Sequence, residues 1–458
     1  MEHNDKKVKV AVVKREKVPG ALTYDYTKQD MNIVKEMVKE ALDLSIGPIN
    51  KLIFSGDKVL LKVNALSPVD IKWGICTDAR LVEAVISLIR ESVKNVRIYV
   101  GDNPAGGLPI ISGISGRSAL IAAGIETAAK RAGAEVIPFD EVGTMEVNIP
   151  RAKFWVKDNP KIFRPVLDSD IVINMPKMKT HFHPGVNVTL GIKNLNGVIP
   201  YGPSSDVSEQ QQAGHLIDIE QKLVDIYRVV RPQLTIVDGL ICMEGQGPAN
   251  GDSLELNVIV AGSDGVAVDA VSAAIMGFDP MIDVGTVRIA DHEGLGIGDL
   301  NKIDVRGKQI DEVKRVFKRA TYSGVGAWPS TEVYYRGGCG GCMQTVRING
   351  DFIEKMEKMK ILPQGTLEKA GRLIYLFGRG PHPVPGMVPD GEVFILGDCI
   401  PKDTVELFQK KRDALFIPGC PAQGNWSLIS KRILSLAGIQ ASMGNFPCWD
   451  YGKSSATH

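Results

Sequence analysis

The chain has 458 residues, 44% of them hydrophobic and 23% charged, with a formal net charge of +1. This length predicts two or three domains with their own cores, and the near-neutral charge argues against nucleic acid or an acidic membrane as the main partner. The N-terminal segment lacks the apolar core of a signal peptide, and no run of about 18 apolar residues predicts a membrane span. We therefore expect a cytoplasmic protein without a membrane span.

Strand-like and helix-like segments alternate over the first 310 residues. Predicted strands cover residues 8–13, 59–63, 96–100, 135–138, 170–174, 234–237 and 256–261. Predicted helices cover residues 78–93, 119–132, 215–230 and 265–276. This alternation predicts an α/β fold with a mostly parallel sheet covered by helices. Because ligands of such sheets bind beyond the carboxyl ends of the strands, polar residues that follow strands are the candidates for a binding site.

Polar side chains follow several of these strands. Asp102 and Asn103 come directly after the strand at 96–100. The substrate-binding candidates are Lys62, Asn64, Lys177, Lys179, Asn194 and Asp238. Since lysines can hold a carboxylate or a phosphate, we expect the substrate to be an anionic small molecule. For any one of these residues a solvated loop or a capping side chain remains the alternative.

Residues 174–197 contain the densest group of polar side chains, and they directly follow a predicted strand. The catalytic candidates are His181, His183 and Lys193, together with His215 at the start of the next predicted helix. Histidines can transfer protons or bind a metal. The flexible loop at 245–251 could approach a ligand, although it lacks the spacing of a nucleotide-binding motif.

Four cysteines in the C-terminal part have a pattern suited to a metal site. They are Cys339, Cys342, Cys399 and Cys420, and each lies beside glycine or proline. Two predicted strands, 392–396 and 414–417, end just before the last two cysteines. If these strands are parallel neighbours, their loops reach one edge of the sheet, where the first two cysteines complete a four-thiolate site. A [4Fe–4S] cluster is the expected cofactor, with structural zinc or unligated cysteines as alternatives.

The division of the chain follows from these patterns. We predict a ligand-binding α/β domain at residues 1–320 and a smaller α/β metal domain at residues 321–458. Cys448 is an alternative ligand or a free thiol. The remaining residues with a structural interpretation are Cys76 and Cys242, expected as buried thiols, and Asp264 and Asp269, expected to cap or stabilise the helix around them.

Several separated motifs carry a family resemblance. They are Lys62-Val-Asn64, Lys177-Met-Lys-Thr-His181, Gly191-Ile-Lys-Asn-Leu-Asn-Gly197, Val237-Asp-Gly239 and Glu244-Gly-Gln-Gly-Pro248. Over residues 8–300 the chain resembles domain-of-unknown-function family 362. Members of that family are commonly associated with iron–sulfur modules, so the resemblance implies an iron–sulfur context. The family name implies no reaction.

Two local resemblances add to this one. The strands that end in Gly-Asp-Cys399 and Pro-Gly-Cys420-Pro are similar to the cluster motifs in small subunits of respiratory complex I and nickel–iron hydrogenases, although a CxxC stands here where complex I has adjacent cysteines. Residues 170–200 resemble the segment of nickel-pincer lactate racemases that carries a histidine and a lysine. That resemblance implies that His183 faces a metal cofactor and that Lys193 contacts or binds it.

The preferred hypothesis is an iron–sulfur protein, either a redox enzyme or an electron-transfer component, that acts on an anionic small molecule or cofactor. A redox partner protein is then expected, while homo-oligomer formation is left open. One alternative is a racemase or epimerase of small hydroxy acids with His183 and His215 as paired acid and base. A second alternative is a non-catalytic cluster carrier or assembly factor, so whether the chain is an enzyme is open.

Overall fold

The computed structural model describes residues 7–18, 28–103, 115–156, 159–200, 218–338, 340–419, 422 and 426–440. Four residues of the predictions, His215, Cys339, Cys420 and Cys448, lie outside this set. No helix within the described ranges is both long and apolar enough to cross a membrane.

A mixed ten-stranded sheet organises the larger part of the structure. In chain order the strands are β1 (Val8–Lys14), β2 (Lys58–Lys62), β3 (Arg97–Gly101), β4 (Glu135–Val136), β5 (Thr144–Glu146), β6 (Lys161–Phe163), β7 (Ile171–Asn174), β8 (Lys177–Thr180), β9 (Val188–Thr189), β10 (Leu234–Glu244), β11 (Asp252–Gly262) and β12 (Ile303–Gly307). β5 and β6 form a separate hairpin. The main order is β12-β1-β11-β10-β7-β2-β3-β4, and β8 pairs with both β10 and β9.

Helices cover both faces of this sheet. They are α1 (Lys28–Ser45), α2 (Ala79–Ser92), α3 (Gly116–Ala122), α4 (Ile125–Arg131), α5 (Arg164–Leu167), α6 (Gly191–Asn194), α7 (Ile219–Val230), α8 (Gly265–Ile275), α9 (Gly285–His292) and α10 (Ile310–Val313). Short 3₁₀ helices lie at Ile49–Lys51, Ile71–Trp73, Phe139–Glu141, Leu195–Val198 and Leu300–Lys302. Alternate residues of the strands enter opposite cores, as in β1, where Val10 and Val12 pack on one face and Ala11 and Val13 on the other.

The C-terminal part has a four-stranded sheet of its own, and all its pairs are parallel. Its strands are β13 (Thr331–Tyr335), β14 (Leu373–Phe377), β15 (Glu392–Leu396) and β16 (Leu415–Ile417), in that spatial order. The helices are α11 (Gly340–Lys358), α12 (Thr366–Lys369), α13 (Lys402–Arg412) and α14 (Trp426–Leu436), with a 3₁₀ turn at Pro385–Met387. The predicted fold class is therefore confirmed for both parts.

The structure differs from the prediction in several elements. The helix expected at 119–132 is split into α3 and α4, because Gly124 between them has a left-handed backbone (φ 71°). β10 extends seven residues beyond the predicted end at 237, since its second half pairs with the antiparallel β11 and with β8. Asp238 therefore lies inside a strand and not after one. β13 and β14 were not predicted, and α11 begins before Cys342, although a helix after it was expected.

Candidate functional site

The candidate site lies at the carboxyl edge of the main sheet. Lys62 ends β2 and Asn174 ends β7, and the two residues are register partners. Asp102 follows β3 on the other side of β2. β8 then continues along β10, so that Lys177 lies beside Asp238. The structure thus brings the strand-end candidates together at the edge where α/β sheets bind ligands.

Lys62 is held by a dense set of partners. Its Nζ lies 2.7 Å from Oδ1 of Asp102 and donates to the carbonyl oxygens of Asn194 (2.7 Å) and Val63 (3.0 Å). Oδ2 of Asp102 accepts from the Ala65 amide at 2.6 Å. Burial lowers the pKa of Lys62 and raises the pKa of Asp102, while the ion pair opposes both shifts. This pair is fully enclosed by protein.

Gly197 closes over that ion pair. A Cβ atom at this position would lie 2.4 Å from Oδ1 of Asp102 and 2.8 Å from Nζ of Lys62. Both distances are shorter than non-bonded contacts allow. A larger residue at position 197 would therefore force the loop or these two side chains to shift.

Asn194 connects the strand ends to α6. Its Oδ1 accepts from Nδ2 of Asn64, and its Nδ2 donates to Oδ1 of Asn174, both at 2.8 Å. The start of α6 is fixed from α8, because the carboxylate of Asp269 accepts from the amides of Gly191 (2.6 Å) and Ile192 (2.8 Å). Asp269 therefore caps α6, whereas the sequence suggested that it caps or stabilises its own helix. Asp264 does cap α8.

Lys179 is a buried lysine whose hydrogen-bond acceptors are neutral. Its Nζ donates to Oδ1 of Asn64 at 2.8 Å and to the carbonyl oxygen of Ile75 at 2.6 Å. Burial lowers the pKa of Lys179 to about 7, and the nearby charges of Lys177 and Lys193 lower it further. Such a group changes charge near neutral pH, so it can bind an anion or exchange a proton.

Lys177 belongs to a buried ionic network. Its Nζ donates to Oδ2 of Asp238 at 2.9 Å, and the same oxygen accepts from the amide of Asp78 at 2.6 Å. Burial raises the pKa of Asp238. Burial opposes the ionisation of Asp78 too, but its ion pair and hydrogen bonds with Arg80 hold its pKa below the usual value. Lys177 and Asp238 were predicted as substrate-binding residues, and in the structure their side chains form an ion pair with each other.

Lys193 differs from these lysines. It lies on α6, is half-buried, and has no hydrogen bond or ion pair within the described part of the chain. Burial lowers its pKa to about 8, with a further contribution from the charge of Lys62. Lys222 of α7, which was not predicted, is fully buried, and burial together with Lys193 lowers its pKa to about 7. Lys222 stands among the regularly spaced apolar residues of the helix predicted at 215–230, and this position could have identified it as a buried lysine.

The two described histidines lie beyond the end of β8, both buried. Nδ1 of His181 accepts from the amide of His183 at 3.0 Å, which places the proton of a neutral His181 ring on Nε2. Nδ1 of His183 lies 2.8 Å from the carbonyl oxygen of Pro184 and donates to it, so Nε2 of a neutral His183 is a proton acceptor. The ring centroids are 6.5 Å apart.

The polar segment 174–197 contains regular structure, since β8, β9 and α6 all lie within it.

The cysteine-bearing segments meet at the carboxyl edge of the C-terminal sheet. A Cβ atom on Gly397 would lie 3.0 Å from Sγ of Cys342 and 3.8 Å from Sγ of Cys399, so both sulfur atoms approach one point. β15 and β16 are parallel neighbours, and the amide of Asp398 donates to the Gly419 carbonyl oxygen at 3.3 Å. Among the described residues no group of three or more His, Cys, Asp or Glu side chains could hold a metal ion. Cys339 and Cys420 are outside that set.

Comparison with known proteins identifies the central part of the chain. Residues 59–274 match the family model "Domain of unknown function (DUF362)". Residues 59–274 form a DUF362 domain. The predicted family is confirmed, over a shorter range than the expected 8–300, and the DUF362 domain contains β2 to β11 with α2 to α7 and most of α8.

Two further similarities are more distant. The thylakoid-associated protein sll1697 of Synechocystis sp. is 28% identical over 237 residues, which cover 51% of this chain and 68% of that protein. The structure of the lactate racemase apoprotein from Thermoanaerobacterium thermosaccharolyticum aligns with 88% of this chain and 89% of its own, at 10% identity and a TM-score of 0.36. These similarities do not test the roles predicted for His183 and Lys193.

Proposed function

We propose that this chain is an iron–sulfur protein in which the C-terminal cysteines hold a [4Fe–4S] cluster and the DUF362 domain binds an anionic small molecule or cofactor. The protein would act as a redox enzyme or an electron-transfer component. The observation that carries the proposal is the approach of two cysteine sulfur atoms, from α11 and from the loop after β15, to the same point beside Gly397.

The donor set around that point fits a cluster. Sγ of Cys342 is buried and lies 3.8 Å from the carbonyl oxygen of Leu396, while Cys399 is partly exposed. The immediate sequence neighbours of Cys339 and Cys420 are at the same edge, since Gly338 packs against Gly378 after β14 and Gly419 bonds to Asp398. Four thiolates on tight glycine loops suit a [4Fe–4S] cluster, which supplies one-electron chemistry.

The DUF362 domain contributes the ligand-binding side of the proposal. Lys179 and Lys193 are buried or half-buried lysines without a carboxylate partner in the described chain, and both have a pKa lowered into the range of 7 to 8. An anion would restore their charged forms. His183, which is buried beyond the end of β8, is the residue that we propose to exchange a proton with such a ligand.

Metal and sulfide analysis of anaerobically purified protein, with electron paramagnetic resonance, tests the cluster. We expect about four irons and four sulfides per chain. Cys342→Ser and Cys399→Ser should each lower the iron and sulfide content and change the resonance signal. Cys76→Ser and Cys242→Ser are matched controls, because both thiols are buried in the DUF362 domain.

Zinc without sulfide would contradict the redox proposal and make the cysteine site structural. A full cluster content in the Cys342→Ser and Cys399→Ser proteins would also contradict it, since these thiolates would then not be ligands. A loaded cluster that accepts no electron at any applied potential would leave only an assembly or structural role.

A further inference from the structure

A small region of the DUF362 domain encloses more positive than negative charge. Nζ of the fully buried Lys62 donates to the carbonyl oxygen of Asn194, the residue next to the half-buried Lys193, at 2.7 Å. Nζ of the fully buried Lys179 donates to Oδ1 of Asn64, whose Nδ2 donates to Oδ1 of the same Asn194, both at 2.8 Å. Asp102 neutralises Lys62. From this arrangement we propose that the DUF362 domain binds an oxyanion with two negative charges, a phosphate group or a dicarboxylate, with Lys193 as its direct contact.

Among the described residues, the carboxylates on the elements that carry or adjoin these lysines are already engaged. Asp269 accepts from two amides at the start of α6, and Asp225, on α7, accepts from the amides of residues 153–155. Asp238 is paired with Lys177. Lys179 and Lys193 therefore remain without a carboxylate partner in the described ranges. Charging both of these lysines in the protein interior is costly unless a counter-ion binds, which agrees with their lowered pKa values.

The solvent exposure of the lysine side chains indicates which of them contacts the ligand. Lys62 and Lys179 are fully buried, and their Nζ atoms already donate to protein oxygens. Lys193 retains exposed surface and has no partner among the described residues. The ligand therefore contacts Lys193, while the other lysines act through their charge over a longer distance.

The charge surplus also selects the class of ligand. A monocarboxylate would balance one lysine and leave the rest of the surplus, whereas a phosphate group or a dicarboxylate balances two. Lysine ammonium groups bind such oxyanions as point charges, whereas arginine forms bidentate hydrogen bonds with them. This inference deepens the proposed function, because it specifies the charge of the anionic ligand of the same domain.

Isothermal titration of the full chain with inorganic phosphate, succinate and acetate, at constant ionic strength, tests the inference. We expect phosphate or succinate to bind at least about tenfold more tightly than acetate. Lys193→Met should weaken that binding at least about tenfold, and Lys193→Arg should retain most of it. Lys369→Met is the matched control, since Lys369 is exposed on α12 of the C-terminal part. Thermal unfolding of each variant verifies its fold.

Selective binding of phosphate would identify the ligand as a phosphate compound, and selective binding of succinate would identify a dicarboxylate. Equal binding of acetate, no binding of any anion, or unchanged affinity in Lys193→Met would overturn the inference. The same titration on Cys342→Ser/Cys399→Ser separates it from the cluster proposal. Dianion binding that persists without iron supports the inference even where the redox proposal fails.

Discussion

Nζ of Lys177 lies 2.9 Å from Oδ2 of Asp238, and neither side chain has more than a trace of solvent exposure. The two residues face each other across the parallel pair β8 and β10. An ion pair so enclosed does not release either group to a substrate at low cost, because the other charge would be left buried and unpaired. Both residues therefore belong to the buried framework of the site, and their predicted contact with a substrate stays a prediction.

Removal of one partner of this pair should destabilise the protein strongly. We expect Asp238→Ala to lower the free energy of unfolding by about 3–5 kcal/mol, since the ammonium group of Lys177 would lose its counter-charge. Urea denaturation followed by circular dichroism measures the change. Asp43→Ala, which removes the exposed partner of Lys39 in α1, should cost less than about 1 kcal/mol. Equal losses in the two variants would contradict the assignment.

The stability of the DUF362 domain should rise with pH just above neutrality. Folding lowers the pKa of Lys179 and Lys222 to about 7 and that of Lys193 to about 8, from the usual lysine value of 10.5. At pH values between the pKa of a lysine in the folded chain and its pKa in the unfolded chain, the unfolded chain binds more protons. The free energy of unfolding therefore increases with pH in this range. Denaturation at about pH 7 and about pH 8.5 measures this increase.

Lys179→Met isolates one contribution to that pH dependence. The variant cannot take up the proton, so its gain in stability between the two pH values should be smaller than that of the unmodified protein. Lys39→Met removes an exposed lysine and should leave the gain unchanged. A pH dependence that is identical in all three proteins would show that Lys179 titrates normally.

Gly197→Ala should disturb the ion pair of Lys62 and Asp102. The added methyl group would lie within 3 Å of both charged groups, so the loop must shift or the pair must separate. We expect a loss of about 1–3 kcal/mol in the free energy of unfolding. Gly386→Ala has no neighbour within 4 Å of its new methyl group and serves as the control. A Gly197→Ala variant as stable as the control would indicate that the loop relaxes freely.

Lys355 should hold the two parts of the chain together. From α11 its Nζ donates to the carbonyl oxygen of Gly251 at 2.7 Å and lies 4.5 Å from the ring centroid of Trp73. We expect Lys355→Met to increase hydrogen–deuterium exchange in residues 71–75 and 249–252, because these segments lose a shared contact. Lys358→Met, which removes a more exposed partner of Asp252, is the control. Unchanged exchange in Lys355→Met would contradict this role.

The sequence by itself determined the α/β class, the DUF362 resemblance that residues 59–274 confirm, and the edge of the sheet where polar residues gather. Hydrophobic periodicity was sufficient for β2, α2, β3, β7 and α8, because each pattern is local and matches its own element. The two parallel strands before Cys399 and Cys420 were predicted for the same reason, and the structure confirms β15 and β16 as parallel neighbours. The bound cofactor and the roles of His181 and His183 stay predictions.

Only the tertiary structure decided which polar residues are available to a ligand. The sequence does not distinguish the four lysines of the polar motifs, which are Lys62, Lys177, Lys179 and Lys193. The hydrogen-bond partners in the structure come from up to 132 residues away in the chain. Such contacts depend on how β2, β8, β10 and α6 pack together, and no local pattern contains that information. The packing pairs Lys62 and Lys177 with carboxylates, and it leaves Lys193 half-buried and without an ion pair among the described residues.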